Sequence, residues 1–464
     1  MKFSINNIKL LSNSKKIVII LASIVFVYLN IVRPWKPTSI ISSDTRCYYG
    51  YIPATLIYHD PSLKFIDIKP DAYWDKFFYQ TTPNGGKIMK MTMGLSFLYV
   101  PFYYLGHIYT LIFGSLGNFK ADGFSLPYQV ALCFGSIFYL FIGLLYLRKV
   151  LLNYFTEVVT SLTLILIVLA TNLWNYTTNE PTMSHSYNFA LFSVFLYLTI
   201  KFFKKPDLKT SITYGLVTGL ISLIRPSNSI IILIPLMYNV YNIETLKAKF
   251  LFIKENIKYL LIIIICILLI WTPQIVYWKM ITGQYFYYSY NNEGFFFKHP
   301  HIIKGLFSYR KGWFVYTPLA LFFVWGMFYA KKYIKDFYIA ILVFMPVNIY
   351  IIFSWWCWWY GGSFGMRTLV ESYAILSLPL AAFITVIIKS KYWIVKISIT
   401  IVFIFITYLN QFQSLQYRKA MMHWDSMSKA QYWEIFLHYR YARELDKLLE
   451  VPDVEGAMKG HEKE

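Results

Sequence analysis

Charge is what this sequence has least of. Asp, Glu, Lys and Arg make up only 14% of its 464 residues, where a soluble domain carries about 25%. With 57% of the residues hydrophobic, that shortage excludes a water-soluble globule. Acid is scarcer than base, 23 Asp and Glu against 44 Lys and Arg. Cysteine is nearly absent. Cys47, Cys133, Cys266 and Cys357 fall in no metal-ligand spacing. Cys47 and Cys357 fall in loops assigned to one side, so a disulfide is open to them but is not the expectation. There is no HEXXH, no CXXC pair, no Walker loop and no GXGXXG at a strand, so ATP and pyridine-nucleotide chemistry are unsupported. No internal repeat is visible, and with it goes the symmetry of many transporters.

What the chain does have is apolar runs. Roughly eleven or twelve are long enough to read as membrane helices, from 17–32 through 91–113, 187–203 and 259–278 to 392–409. The run at 212–241 has length for two short helices. It is interrupted by Arg225-Pro226-Ser227-Asn228, which no lipid-facing helix holds at its centre. The first run follows Lys2, Lys9, Lys15 and Lys16 and lacks a small-residue cleavage site, so it reads as an uncleaved anchor. The net charge of +21 would suggest nucleic acid in a soluble chain. Here the excess Lys and Arg sit in short loops, as the positive-inside bias predicts, and no nucleic-acid partner is expected.

The expected architecture is all-α and polytopic: a cytoplasmic amino terminus (1–15), a membrane domain (16–410) with a long first outer loop (34–90), and an amphipathic tail (411–464) disordered at its end. In the tail Trp424, Met427, Tyr432, Phe436, Tyr441, Leu445 and Leu448 recur at near-helical steps. One parity conflict stands. Two apolar runs separate Lys90, assigned outside, from Arg148-Lys149, which by charge belong inside. Either one run does not cross or this basic pair breaks the rule.

Ionisable residues at the edge of membrane spans are costly and ask for a reason. Here they gather on one side: Asp44, Arg46, His59 and Asp60 after the first run; Lys87 and Lys90; Glu180 and His185; Arg225; Glu293, Lys298, Arg310 and Lys311; Arg367 and Glu371. Carboxylates and cations on one face of an apolar body suit a lipid with a phosphate head group. Arg and Lys bind the phosphate, a carboxylate takes a proton from a hydroxyl, and the spans hold the lipid tail. His59-Asp60 also reads as a turn, Lys87 as a snorkelling lysine, and Arg225 as a partner for carbonyls freed by the helix break. In "SWWCWWYGGSFGMRTLVE" (354–371) the indoles read either as an interfacial belt or, for Trp359 and Tyr360 beside Gly361-Gly362, as a platform for a sugar ring. Arg367 and Glu371 are spaced i, i+4, which on a helix places them side by side.

"SDTRCYYGYIPA" after the first run, followed in order by "TMSHSYNF", "LIRPSN", "NNEGF", "GWFVYTPL" and "WWYGGSFGMRTLVE", resembles the GT-C superfamily of membrane glycosyltransferases, in particular bacterial relatives of the protein mannosyltransferases and of the lipid A aminoarabinose transferase. The resemblance runs from about residue 15 to 391. It implies a GT-C-like membrane domain in a bacterial inner or plasma membrane with the active site on the extracytoplasmic face. It implies transfer of a sugar, hexose or pentose, from a polyprenyl-phosphate donor to a cell-envelope glycan, lipid or protein. Asp44 becomes the general base of an inverting reaction, with phosphate roles for Lys87, Arg225 and Arg367. Substrate-binding roles fall on Glu180, His185, Glu293, Trp359, Tyr360 and Glu371. Where relatives place a second Asp, this chain has Glu180, so no metal ligand is assigned; some relatives use a divalent cation and others use none. The rival readings are a transporter or flippase of lipid-linked glycans, which needs polar residues through the depth of the membrane, and a non-catalytic scaffold, which needs no buried acid at the first span.

Overall fold

The apolar runs fold into helices in a computed structural model that describes residues 13–36, 39–441 and 444–461. Lys2 and Lys9 lie outside the described residues, as do residues 462–464. Seven helices, from Ser14–Val32 to Trp393–Arg418, are long and apolar enough to cross a membrane, and Glu157–Leu169, Leu208–Ile224, Pro226–Met237 and Tyr373–Lys389 are shorter apolar helices. Ser184–Lys204 is central, with 72% of its apolar window buried, whereas Ile257–Thr282 has 11% and Trp393–Arg418 17%. The outer two therefore present apolar side chains to lipid. Small residues bring helices close. A Cβ on Gly215 would stand 2.6 Å from the Ile263 carbonyl oxygen of the neighbouring helix.

The Arg225-Pro226 break appears as read: Leu208–Ile224 ends, Arg225 is extended, and a 3-10 turn at Pro226–Ile232 leads into Leu233–Met237. Proline cannot donate the hydrogen bond that would continue the helix.

Two sets of contacts frame the parity conflict. Arg148 at the end of Leu126–Leu151 donates to Ser14 Oγ (2.6 Å) and pairs with Glu157 (2.9 Å), while Ser14 N–H donates to Glu157 Oε2 (2.8 Å). Arg148 therefore sits at the amino-terminal end of the first helix, where its charge belongs. Gly94–Gly117 starts beside Leu223 and Ile224 and beneath Tyr48, whose carbonyl accepts from Ser96 Oγ. After it the chain returns to the first loop, where Tyr49 donates to the Gly123 carbonyl and Lys76 pairs with Asp122 (3.1 Å). The segment that follows the helix therefore reaches the first loop at Asp122 and Gly123.

The first loop holds the helix Asp44–Leu56 and a two-stranded antiparallel hairpin, Tyr79–Thr81 with Lys87–Met89. An aromatic knot of Tyr58, Phe65, Tyr73 and Phe77 stiffens it. Asp60 caps a turn by accepting from the N–H groups of Ser62, Lys64 and Phe65. Burial raises its pKa, but these hydrogen bonds outweigh burial and the net shift is downward. The tail folds back rather than trailing away. Met422, Met427, Tyr432, Ile435 and Leu445 pack on Tyr316 and Phe364. Where composition suggests a disordered end, Val454–Met458 is a short helix whose Ala457 is buried against Trp358 and Trp359.

Candidate active site

Asp44 opens the helix Asp44–Leu56, where an acid complements the helix dipole. Ser43 before it has φ 46°, a left-handed turn that swings the chain into the helix. Arg367 NH1 donates to Asp44 Oδ2 at 3.0 Å, and the two side chains are 15% and 28% exposed. The carboxylate thus faces an opening while its partner sits deeper. Burial would lower the Arg367 pKa, but the charge of Asp44 together with Tyr176, Glu180 and Tyr48 outweighs it and the net direction is up. The guanidinium stays charged.

Arg367 begins a 3-10 turn, Arg367–Leu369, and Tyr373–Lys389 follows as an α-helix. The expected i, i+4 contact with Glu371 is therefore not made. Glu371 belongs to a second network. Arg225 NH1 donates to its Oε1 at 3.1 Å, His185 Nδ1 lies 3.2 Å from the same oxygen, and Arg225 NH1 is 3.3 Å from His185 Nδ1. Glu371 and His185 are 1% and 2% exposed. Arg225 is placed by the proline break, His185 by the first turn of Ser184–Lys204.

Glu180 lies on a third side. Tyr417 donates to its Oε1 at 3.1 Å, and burial raises its pKa against the pull of Arg367. Glu180 Oε2 and Glu371 Oε2 are buried and have no hydrogen-bond partner among the described residues. Tyr360, at φ 58°, donates to the Ile352 carbonyl at 2.7 Å.

Six candidates thus meet: Asp44, Arg367, Arg225, Glu371, His185 and Glu180. Three lie apart from this cluster. Lys87 sits on the hairpin and pairs with Asp67 at 2.5 Å. Glu293 pairs with Lys90 and accepts from Trp356 Nε1 at 3.0 Å. Trp359 is 2% exposed, packed edge-on to Trp356 and Trp358, so it has no open ring face for a sugar.

Two cations of the same outer set that were assigned no role, Lys90 and Lys311, also shape the region. Lys90, the partner of Glu293, stands 5.1 Å from the Tyr290 ring centroid. Lys311 is 2% exposed and donates to the carbonyls of Ser363 and Trp424. Its position in "SYRKGW", beside a second cation, was the available signal. Cys47 and Cys357 are free and buried, and burial pushes both thiols up to about 12. Among the described residues no three His, Cys, Asp or Glu side chains come together to hold a metal ion.

No family model matches the chain, and no curated protein matches it. Among solved structures it is similar to the apo form of the Archaeoglobus fulgidus oligosaccharyltransferase, with 12% identity, a TM-score of 0.51 and coverage of 87% of this chain. The match covers 56% of the archaeal protein, so this chain corresponds to little more than half of its length. At that identity the likeness is one of fold alone: this chain shares the helical architecture of that archaeal protein over most of its own length.

Proposed function

We propose that the chain is a GT-C-type integral membrane glycosyltransferase that moves one sugar from a polyprenyl-phosphate donor to an acceptor hydroxyl or amide on the extracytoplasmic face. The acceptor is a cell-envelope glycan, lipid or protein. Asp44, part-exposed and oriented by Arg367 at 3.0 Å, is the observation that carries the reading.

In the reaction Asp44 takes the acceptor's proton as the acceptor atom bonds to the anomeric carbon. The bond from that carbon to the phosphate oxygen breaks on the opposite face, and the polyprenyl phosphate leaves with the electron pair, so configuration inverts. General-base help of this kind contributes roughly 10²–10⁴-fold. Arg367 holds Asp44 through one N–H and keeps further donors for the leaving phosphate. Arg225, 18% exposed, adds a second positive charge whose own counter-ion is Glu371. Polar residues concentrated at one end, with little charge along the spans, support an enzyme over a transporter. No step is routed through a metal.

The test is transfer from labelled polyprenyl-phosphate hexoses by the purified full chain. Asp44→Asn should lower the rate by about 10²-fold or more while retaining fold and lipid binding. A variant that transfers at the wild-type rate removes Asp44 as base.

A further inference from the structure

We infer that the open cleft between the first-loop hairpin and the 284–292 segment binds a neutral saccharide. The cleft measures about 650 Å³, within the roughly 300–1,000 Å³ of small-molecule sites. One wall is the hairpin turn, with the hydroxyls of Thr81 and Thr82; the other carries Tyr287, Tyr288, Gln284, Asn291 and Asn292. None of the lining side chains is charged.

That inventory matches one ligand chemistry. A side-chain amide offers donor and acceptor together, and a hydroxyl offers both from one atom. Vicinal sugar hydroxyls present the same pairing. Tyrosine rings add flat apolar faces for the C–H side of a pyranose. A phosphate or uronate would call for Arg or Lys in the lining, and the nearby Lys87 is already paired with Asp67. The side-chain amides of Gln284, Asn291 and Asn292 have no protein partner among the described residues.

The walls are fixed before any ligand arrives. Thr82 Oγ1 accepts from Gly86 N–H at 2.9 Å, and a Cβ on Gly86 would stand 2.9 Å from the Ile281 carbonyl, so the hairpin lies directly on the end of Ile257–Thr282. Opposite it, Tyr288 donates to the Glu293 carbonyl at 2.6 Å and Ser289 to the Lys90 carbonyl at 2.6 Å. One aromatic ring separates the cleft wall from the candidate active site. Tyr288 lies 5.8 Å from Tyr290, centroid to centroid, and Tyr290 is near enough to Asp44 and Arg225 to feel both charges. The cleft's purpose, a sugar subsite of the transfer reaction, rests on the proposed function; its occupancy does not.

The experiment titrates the full chain in lipid nanodiscs with neutral trisaccharides of glucose, mannose and N-acetylglucosamine, and with trigalacturonate. At least one neutral trisaccharide should bind and trigalacturonate should not. Asn292→Ala and Gln284→Ala should each weaken binding by roughly three- to tenfold, the size of one net hydrogen bond, at unchanged melting temperature. Asp44→Asn should bind as wild type does. Displacement by a polyprenyl-phosphate hexose assigns the subsite to the donor sugar, and its absence assigns it to the acceptor; both support the cleft. Failure of every neutral trisaccharide to bind, or wild-type affinity in both cleft variants, overturns it. Transfer that survives Asp44→Asn would sink the enzymatic reading and leave the cleft standing; lost transfer without saccharide binding would do the reverse.

Discussion

Glu371 meets the Arg225 guanidinium and the His185 imidazole through a single oxygen, Oε1, and is almost wholly buried. Neutralising it leaves the Arg225 guanidinium without its counter-ion, and breaking a buried pair from one side costs about 3–5 kcal/mol. Glu371→Gln should therefore lower stability by about 3 kcal/mol, seen as a lower thermal midpoint in lipid nanodiscs. The residues of this site were legible in the sequence, because charge beside apolar runs is rare enough to mark each one. Their pairing was not. Arg367 finds Asp44 across 323 positions and Arg225 finds Glu371 across 146, and no local spacing encodes such contacts. The i, i+4 rule failed at Arg367 because a 3-10 turn rotates the two side chains to different faces.

The loop before Arg367 is an element shaped by two clamps. Tyr360, Gly361 and Gly365 take positive φ, and a Cβ on Gly365 would stand 2.8 Å from Tyr316 Cβ. Lys311 ties this loop to the tail by donating to the Ser363 and Trp424 carbonyls. Burial lowers the Lys311 pKa to about 7, against about 10.4 in an unfolded chain. Between those values the unfolded chain binds more protons, so this group's contribution to stability grows as pH rises from 7 toward 10 and is lost as pH falls through 7. The thermal midpoint of the wild type relative to Lys311→Met should rise across that interval; a flat difference would place the ammonium in solvent. Among the elements, the helices were legible from apolar length and the Arg225 break from its proline. The crossing sense of Gly94–Gly117 is not encoded in length and hydropathy, which read the same for a crossing helix and for one that returns to its starting layer.

For the whole molecule, the tail closes the end of the bundle that carries Asp44. Ala457 covers Trp358 and Trp359, and Cys357 beside them is 8% exposed. A chain ending at Asp453 should lose on the order of 1 kcal/mol of stability, and Cys357 should react with a maleimide faster than in the full chain. Unchanged labelling would mean that the tail shields nothing. The fold class was readable from composition and apolar runs; the amphipathic spacing of the tail suits the membrane surface or the outer loops, and the tail packs on Tyr316 and Phe364, residues for which that spacing carries no address. The opposite end is built otherwise. There Ser14, Arg148 and Glu157 knot three helix termini into one charged node. A body fastened at one pole and closed at the other only by a folded-back strap can yield in one direction. Distances measured between spin labels near residue 14 should stay constant during turnover, while those between the strap and the hairpin change.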